Sequence, residues 1–200
     1  MFEFYREHWY LIPVLLAAAI GVLILWSKAL RKRAELNREH NAEVALLEEQ
    51  KAALDVYRSW RNSSVAPVSD RQLFTGFALD LQSRLQYEAD QAAAFAALPE
   101  KDRQVYALYF AFEDVRYEKL SQFFKEYGKP LTIEANDAMR HFADGVSADI
   151  FAKMYAAFDS DDEASSFIPA QISQWDAAFT NAMDIESVYA CIGDYVRARF

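Results

Sequence analysis

Breakers are scarce in this chain, and their scarcity constrains the fold more than any single motif does. Two hundred residues carry only five glycines and five prolines, so there are few places to cut a turn. No stretch alternates apolar and polar residues with a period of two over a useful length, which argues against half-buried strands. Alanine, leucine and phenylalanine recur at spacings of three and four instead. The expected fold class is all-α. Cys191 is the single cysteine, which excludes an intrachain disulfide and a multi-thiolate zinc site and fits a reducing compartment. It reads as a small core hydrophobe.

The ends of the chain differ in character. From Trp9 to Trp26 eighteen residues carry no charge, and a helix of that length spans ~27 Å, close to the ~30 Å of a bilayer core. Trp9, Tyr10 and Trp26 sit where amphipathic rings prefer the membrane interface. Lys28, Arg31, Lys32 and Arg33 follow, with no acid among them. Cationic flanks stay cytoplasmic. The expectation is therefore a single-pass inner-membrane protein with residues 1–8 outside, an anchor over 9–27 and everything after it in the cytoplasm. A cleaved secretory signal would need a basic start and a shorter apolar run. Ala17 and Gly21, four apart, could let two such helices approach closely, or are merely the small residues common in membrane helices.

Residues 28–60 read as a basic juxtamembrane segment and a helical stalk. The stretch 33–60 has no Gly or Pro, and Glu48, Lys51, Asp55 and Arg58 form charged pairs at helical spacing. Leu36, Val44, Leu47 and Leu54 form one stripe. A heptad seam would contain Lys51 and Arg58, so a plain amphipathic helix is preferred to a coiled coil. Residues 61–68, around Pro67, form a linker. Residues 69–200 form an acidic helical domain, expected to fold by itself as a compact bundle of about six helices. Ser69 and Gln72 make a capping box. Leu73, Phe74, Phe77, Leu81 and Leu85 mark one helix, ended by "LPEKD" at 98–102. A long aromatic stripe runs from Val105 to Tyr127 and stops at Gly128 and Pro130. Further helices fit 132–144, 147–158, 169–183 and 185–198.

The stretch "FEDVRYEKLSQFFKEYG", residues 112–128, resembles the signature of a family of small, acidic, all-helical bacterial domains. Most members have no known function, and one is described as a DNA mimic. The match lies at Val115, Gln122, Phe123, Phe124 and Gly128, with Glu113 and Asp114 just ahead. Glu118 and Lys119 stand where the family pattern has two glycines, and Glu126 stands where Asn is usual. The order of the later elements is also similar, so the resemblance covers 69–199.

No constellation for chemistry is present. His8, His40 and His141 lie in separate segments and cannot form a helix-spaced metal pair; His141 reads as a surface or half-buried histidine. There is no phosphate-binding glycine loop. Glu113, Asp114 and Glu118 read as a solvated helix face, although a modest rotation would bury Glu113. "DSDDE" at 159–163 begins like a calcium loop but has Ala164 where the sharp turn needs Gly and Ala170 where a bidentate Glu belongs. No catalytic residue, cofactor or metal is expected. The sign of the charge matters more. The net charge is -9, which argues against direct nucleic-acid binding. Asp159, Asp161, Asp162 and Glu163 are the densest candidate for an acidic partner surface. These features point to a membrane-tethered, non-catalytic module. Its partners would be the lipid bilayer and a protein, either another membrane or cytoplasmic protein or a second copy of the chain. The alternative is a DNA mimic that occupies a basic DNA-binding protein.

Overall fold

The computed structural model describes residues 40–42, 44–63, 67–117, 119–158 and 169–200. It divides into two units, Met1–Glu49 and Gln50–Phe200. In the first unit the described residues are helical, and Val44 and Leu47 expose their side chains. The apolar run 9–26 and the basic cluster 28–33 lie outside the described residues. Among the described residues no helix is long and apolar enough to cross a membrane. The 18-residue helix Glu100–Tyr117 carries Glu100, Lys101, Asp102, Arg103, Glu113, Asp114 and Arg116, far too much charge for a bilayer core. This finding overturns the expected localisation as a single-pass inner-membrane protein. What stands is an all-α fold among the described residues.

The second unit opens with helical residues 50–63, here α1. Eight helices follow among the described residues: α2 (Asp70–Gln86), α3 (Gln91–Ala96), α4 (Glu100–Tyr117), α5 (Leu120–Glu126), α6 (Leu131–Phe142), α7 (Gly145–Phe158), α8 (Pro169–Ala182) and α9 (Ile185–Arg199). α2 packs on α9 and α4. α4 packs on α6, and α5 fills the corner between α4, α7 and α8. The core is aromatic. Phe74 lies 6.0 Å from Phe112 and 5.4 Å from Tyr189, and Phe124 lies 5.0 Å from Phe151, all between ring centroids. Such pairs add ~0.5–1.5 kcal/mol each beyond the area they bury. The apolar positions expected of the first helix and of the long stripe are buried almost throughout.

Two breaks within this domain were not foreseen, which is why eight helices replace about six. The first helix stops at Gln86. Asp90 then accepts from the Ala93 N–H at 3.0 Å and starts α3, since an Asx cap outcompetes helix continuation. The long stripe breaks ahead of Leu120. There Asp176 of α8 accepts from the Ser121 N–H at 2.8 Å and from its hydroxyl at 2.7 Å, so the cap of α5 comes from a residue 55 positions away. Lys119 sits at that break in an extended conformation, φ -158°, which any residue adopts. The break therefore forms without the glycine pair of the family pattern. The capping box is present as expected: Gln72 N–H donates to Ser69 Oγ at 3.3 Å and Ser69 N–H to Gln72 Oε1 at 3.1 Å.

α1 belongs to this unit rather than projecting from it. Tyr57 is wholly buried and its ring lies 6.1 Å from that of Phe77. Gly76 makes the approach of α1 to α2 possible. A Cβ there would fall on Tyr57 Cβ and lie 2.9 Å from the Ala53 carbonyl oxygen. Cys191 is the other correction. It is exposed on α9, because Val188, Tyr189, Ile192 and Val196 take the inward face.

Candidate protein-interaction surface

Most carboxylates of the second unit with a tertiary partner are inward and engaged. Asp80 meets arginines from α1 and α2, Asp102 meets Tyr195 and Arg199, and Glu134 accepts from Arg103 Nε at 2.6 Å. Glu113 is half-buried beside Arg116, 3.9 Å away. Asp80, Asp102 and Glu134 hold helices together and leave little charge for a partner.

A different group faces outward. Asp144 and Asp184 precede α7 and α9 in the same local pattern, Asp followed three residues later by Ser. Asp144 accepts from Ser147 N–H at 2.7 Å and from Ser147 Oγ–H at 2.8 Å. Asp184 accepts from Ser187 N–H at 3.2 Å and from Ser187 Oγ–H at 2.6 Å. Backbone and hydroxyl donation from Ser147 holds the Asp144 carboxyl below the usual carboxylate value, and hydroxyl and backbone donation from Ser187 does the same for Asp184. The Asp144 charge opposes that lowering at Asp184 only slightly.

Their neighbours complete the surface. Glu186 is exposed in the first turn of α9. Asp149 and Val146 are exposed three residues apart on α7, and Val146 is 63% exposed. Residues at that spacing share a helix face. The arrangement is an apolar side chain among carboxylates fixed in position, with Lys153 the single cation of α7. The sequence carries the signal in "DGVS" and "DIES", each an Asp three residues ahead of a Ser, although its densest acidic run lies at 159–163. That run, Asp159, Asp161, Asp162 and Glu163, lies outside the described residues. So do the interface residues Trp9, Tyr10, Trp26, Lys28, Arg31, Lys32 and Arg33, and the Ala17–Gly21 pair.

Signature residues of the resemblance are mainly architectural. Phe123 and Phe124 are buried in the core, Val115 packs against it, and Gln122 donates to Glu126 at 2.5 Å. A hollow of about 620 Å3 between α5 and α8 is lined by Lys119, Lys125, Phe158 and Ile172. Its acid, Asp176, is occupied in capping α5. Among the described residues, no group of three or more His, Cys, Asp or Glu is placed to hold a metal ion. His141 is exposed and its Nδ1 lies 3.0 Å from Gln104 Oε1.

Residues 96–199, just over half of the chain, match the family described as DMP19-like protein. No curated protein and no solved structure matches the chain.

Proposed function

This chain belongs to the DMP19-like protein family, and on that premise we propose that its helical domain is a non-catalytic module that binds a basic protein partner. The binding surface is the one built at the N-termini of α7 and α9. The observation that carries the reading is the pair Asp144 and Asp184. Each is pinned by two hydrogen bonds from its own Ser, so the charges are in position before a partner arrives. Preorganised charge and an exposed apolar centre give orientation and contact area together. Both caps lie within the residues that match the family.

DNA mimicry is the specific form of this reading, in line with the DNA-mimic member of the resembling family. Duplex DNA shows one charge per ~1.7 Å, and a mimic must place several carboxylates on one rigid face. Asp144, Asp149, Asp184 and Glu186 supply such charges on two helix starts.

The test uses the immobilised full chain and a bacterial lysate cleared of nucleic acid. Basic DNA-binding proteins should be retained and should elute with duplex DNA. The triple variant Asp144→Asn, Asp184→Asn, Glu186→Gln should weaken retention by about tenfold or more, while Asn preserves both caps. Equal retention by the variant would remove this surface from the reading. Retention that duplex DNA cannot displace would leave a protein-binding module and end the mimicry.

A further inference from the structure

One buried carboxylate holds three arginines at the junction of α1 and α2. Asp80 is 6% exposed. It accepts from Arg61 Nη1 at 2.9 Å and from Arg84 Nη2, and Arg58 Nε lies 3.6 Å from its other oxygen. One guanidinium would neutralise it. Three leave a local charge of +2, in a chain with thirty acids against twenty-one lysines and arginines. Among the described residues no second carboxylate pairs with Arg58, Arg61 or Arg84. Arg58 otherwise reaches Ser83 Oγ at 3.5 Å, and Arg61 lies over the Phe200 ring at 5.7 Å. The three side chains keep 48%, 34% and 54% of their surface open to water. Beneath them the Tyr57 hydroxyl is buried.

A salt bridge between α1 and α2 accounts for one of these arginines, not for three. Like charges gathered on one carboxylate repel one another, and each guanidinium has five N–H donors of which Asp80 takes few. The outward donors form planar forks that match phosphoryl oxygens. Asp80 fixes the forks from below. The charge selects among oxyanions: a phosphate monoester carries about -1.5 to -2 at pH 7, which balances +2, whereas a phosphodiester or a carboxylate carries one charge.

We propose that Arg58, Arg61 and Arg84, held by Asp80, form a binding site for a phosphate monoester dianion.

Isothermal titration of the full chain at fixed ionic strength tests this, with phenyl phosphate, inorganic phosphate, diethyl phosphate and acetate as probes. Phenyl phosphate or inorganic phosphate should bind saturably, and the order of the two tells an esterified ligand from free phosphate. Diethyl phosphate and acetate should bind about tenfold more weakly or not at all. Arg58→Gln and Arg84→Gln should each weaken the phosphate ligand by about tenfold, the effect of losing one charge-assisted contact. Circular dichroism checks that both variants remain helical. No saturable binding of either phosphate overturns the proposal, as does unchanged affinity in both arginine variants. If neither variant folds, the wild-type comparison decides, and phosphate binding no tighter than acetate overturns it.

Discussion

Replacing Arg199 should destabilise the domain more than neutralising the acid that it pairs with. Asp102 lies in the first turn of α4 and its side chain is 1% exposed. Its Oδ1 accepts from Tyr195 Oη–H at 2.5 Å and from Arg199 Nη1, while its Oδ2 is buried without a hydrogen bond. Arg199→Met keeps an unbranched stem and removes the cation, leaving a buried carboxylate with one hydroxyl partner. Breaking a fully buried pair in this way costs about 3–5 kcal/mol. Arg199 is a third exposed, so water can follow into its place, and the cost here should be about 2–3 kcal/mol. Asp102→Asn is milder. The Tyr195 hydroxyl can still donate to the amide oxygen, and the guanidinium can turn outward, for about 1 kcal/mol. At roughly 2–4 °C per kcal/mol for a chain of this size, Arg199→Met should lower Tm by about 4–12 °C and Asp102→Asn by about 2–4 °C. Urea unfolding followed by circular dichroism should give the same order. If Asp102→Asn proved the more damaging of the two, the burden would not lie in the uncompensated carboxylate, and the reasoning would be refuted.

Gly76→Ala should push α1 off α2, because the new methyl meets backbone at Ala53 and the first atoms of Tyr57. The expected loss is about 2–3 kcal/mol, at the upper end for overpacking, with a change in the near-ultraviolet signal of Tyr57 and Trp60. Asp144→Ala should cost about 1 kcal/mol at pH 7 through the lost cap. The folded-state pKa of Asp144 lies below its usual 3.8, so its stabilisation is complete above the unfolded pKa and is lost as pH falls through the folded one. Wild type and variant should therefore converge in urea midpoint below about pH 4; a gap that stayed constant into acid would dissociate the cap from its charge.

Helix positions were legible wherever the cause was local. α6 to α9 lie within about two residues of their expected spans, because Gly, Asp and Pro punctuate them in sequence. What escaped has a distant cause. The start of α5 depends on Asp176, 55 residues from Ser121, and no window around 119 contains that residue. Tyr57 looked like one more residue of a stalk with a poor heptad pattern. Its signal was on the other helix, in Gly76, an isolated glycine within an apolar helix, which marks a close approach. The Asp80–Arg84 pair stood at a visible spacing of four, but nothing in the sequence joined Arg58 and Arg61 to it. Cys191 was misplaced because residue type alone assigns no helix face, and the inward arc of α9 passes beside it through Val188, Tyr189, Ile192 and Val196.

The two charged surfaces have opposite sign, and α9 sets the distance between them. Asp184 caps its start, while Phe200, against Arg61, ends it. A helix of 15 residues is about 22 Å long, and the Debye length at physiological salt is about 8 Å. The acidic surface therefore neither screens nor feeds the arginine cluster, and ligands at the two sites should bind without coupling. The triple variant Asp144→Asn, Asp184→Asn, Glu186→Gln should leave phosphate affinity unchanged within about twofold, and saturating phosphate should leave retention of a basic partner unchanged at fixed ionic strength. The thermodynamic statement is reciprocal, so either measurement suffices. A tenfold change in both would mean that α9 shifts between two positions and carries the signal along its length, and the two surfaces would then be parts of one switch.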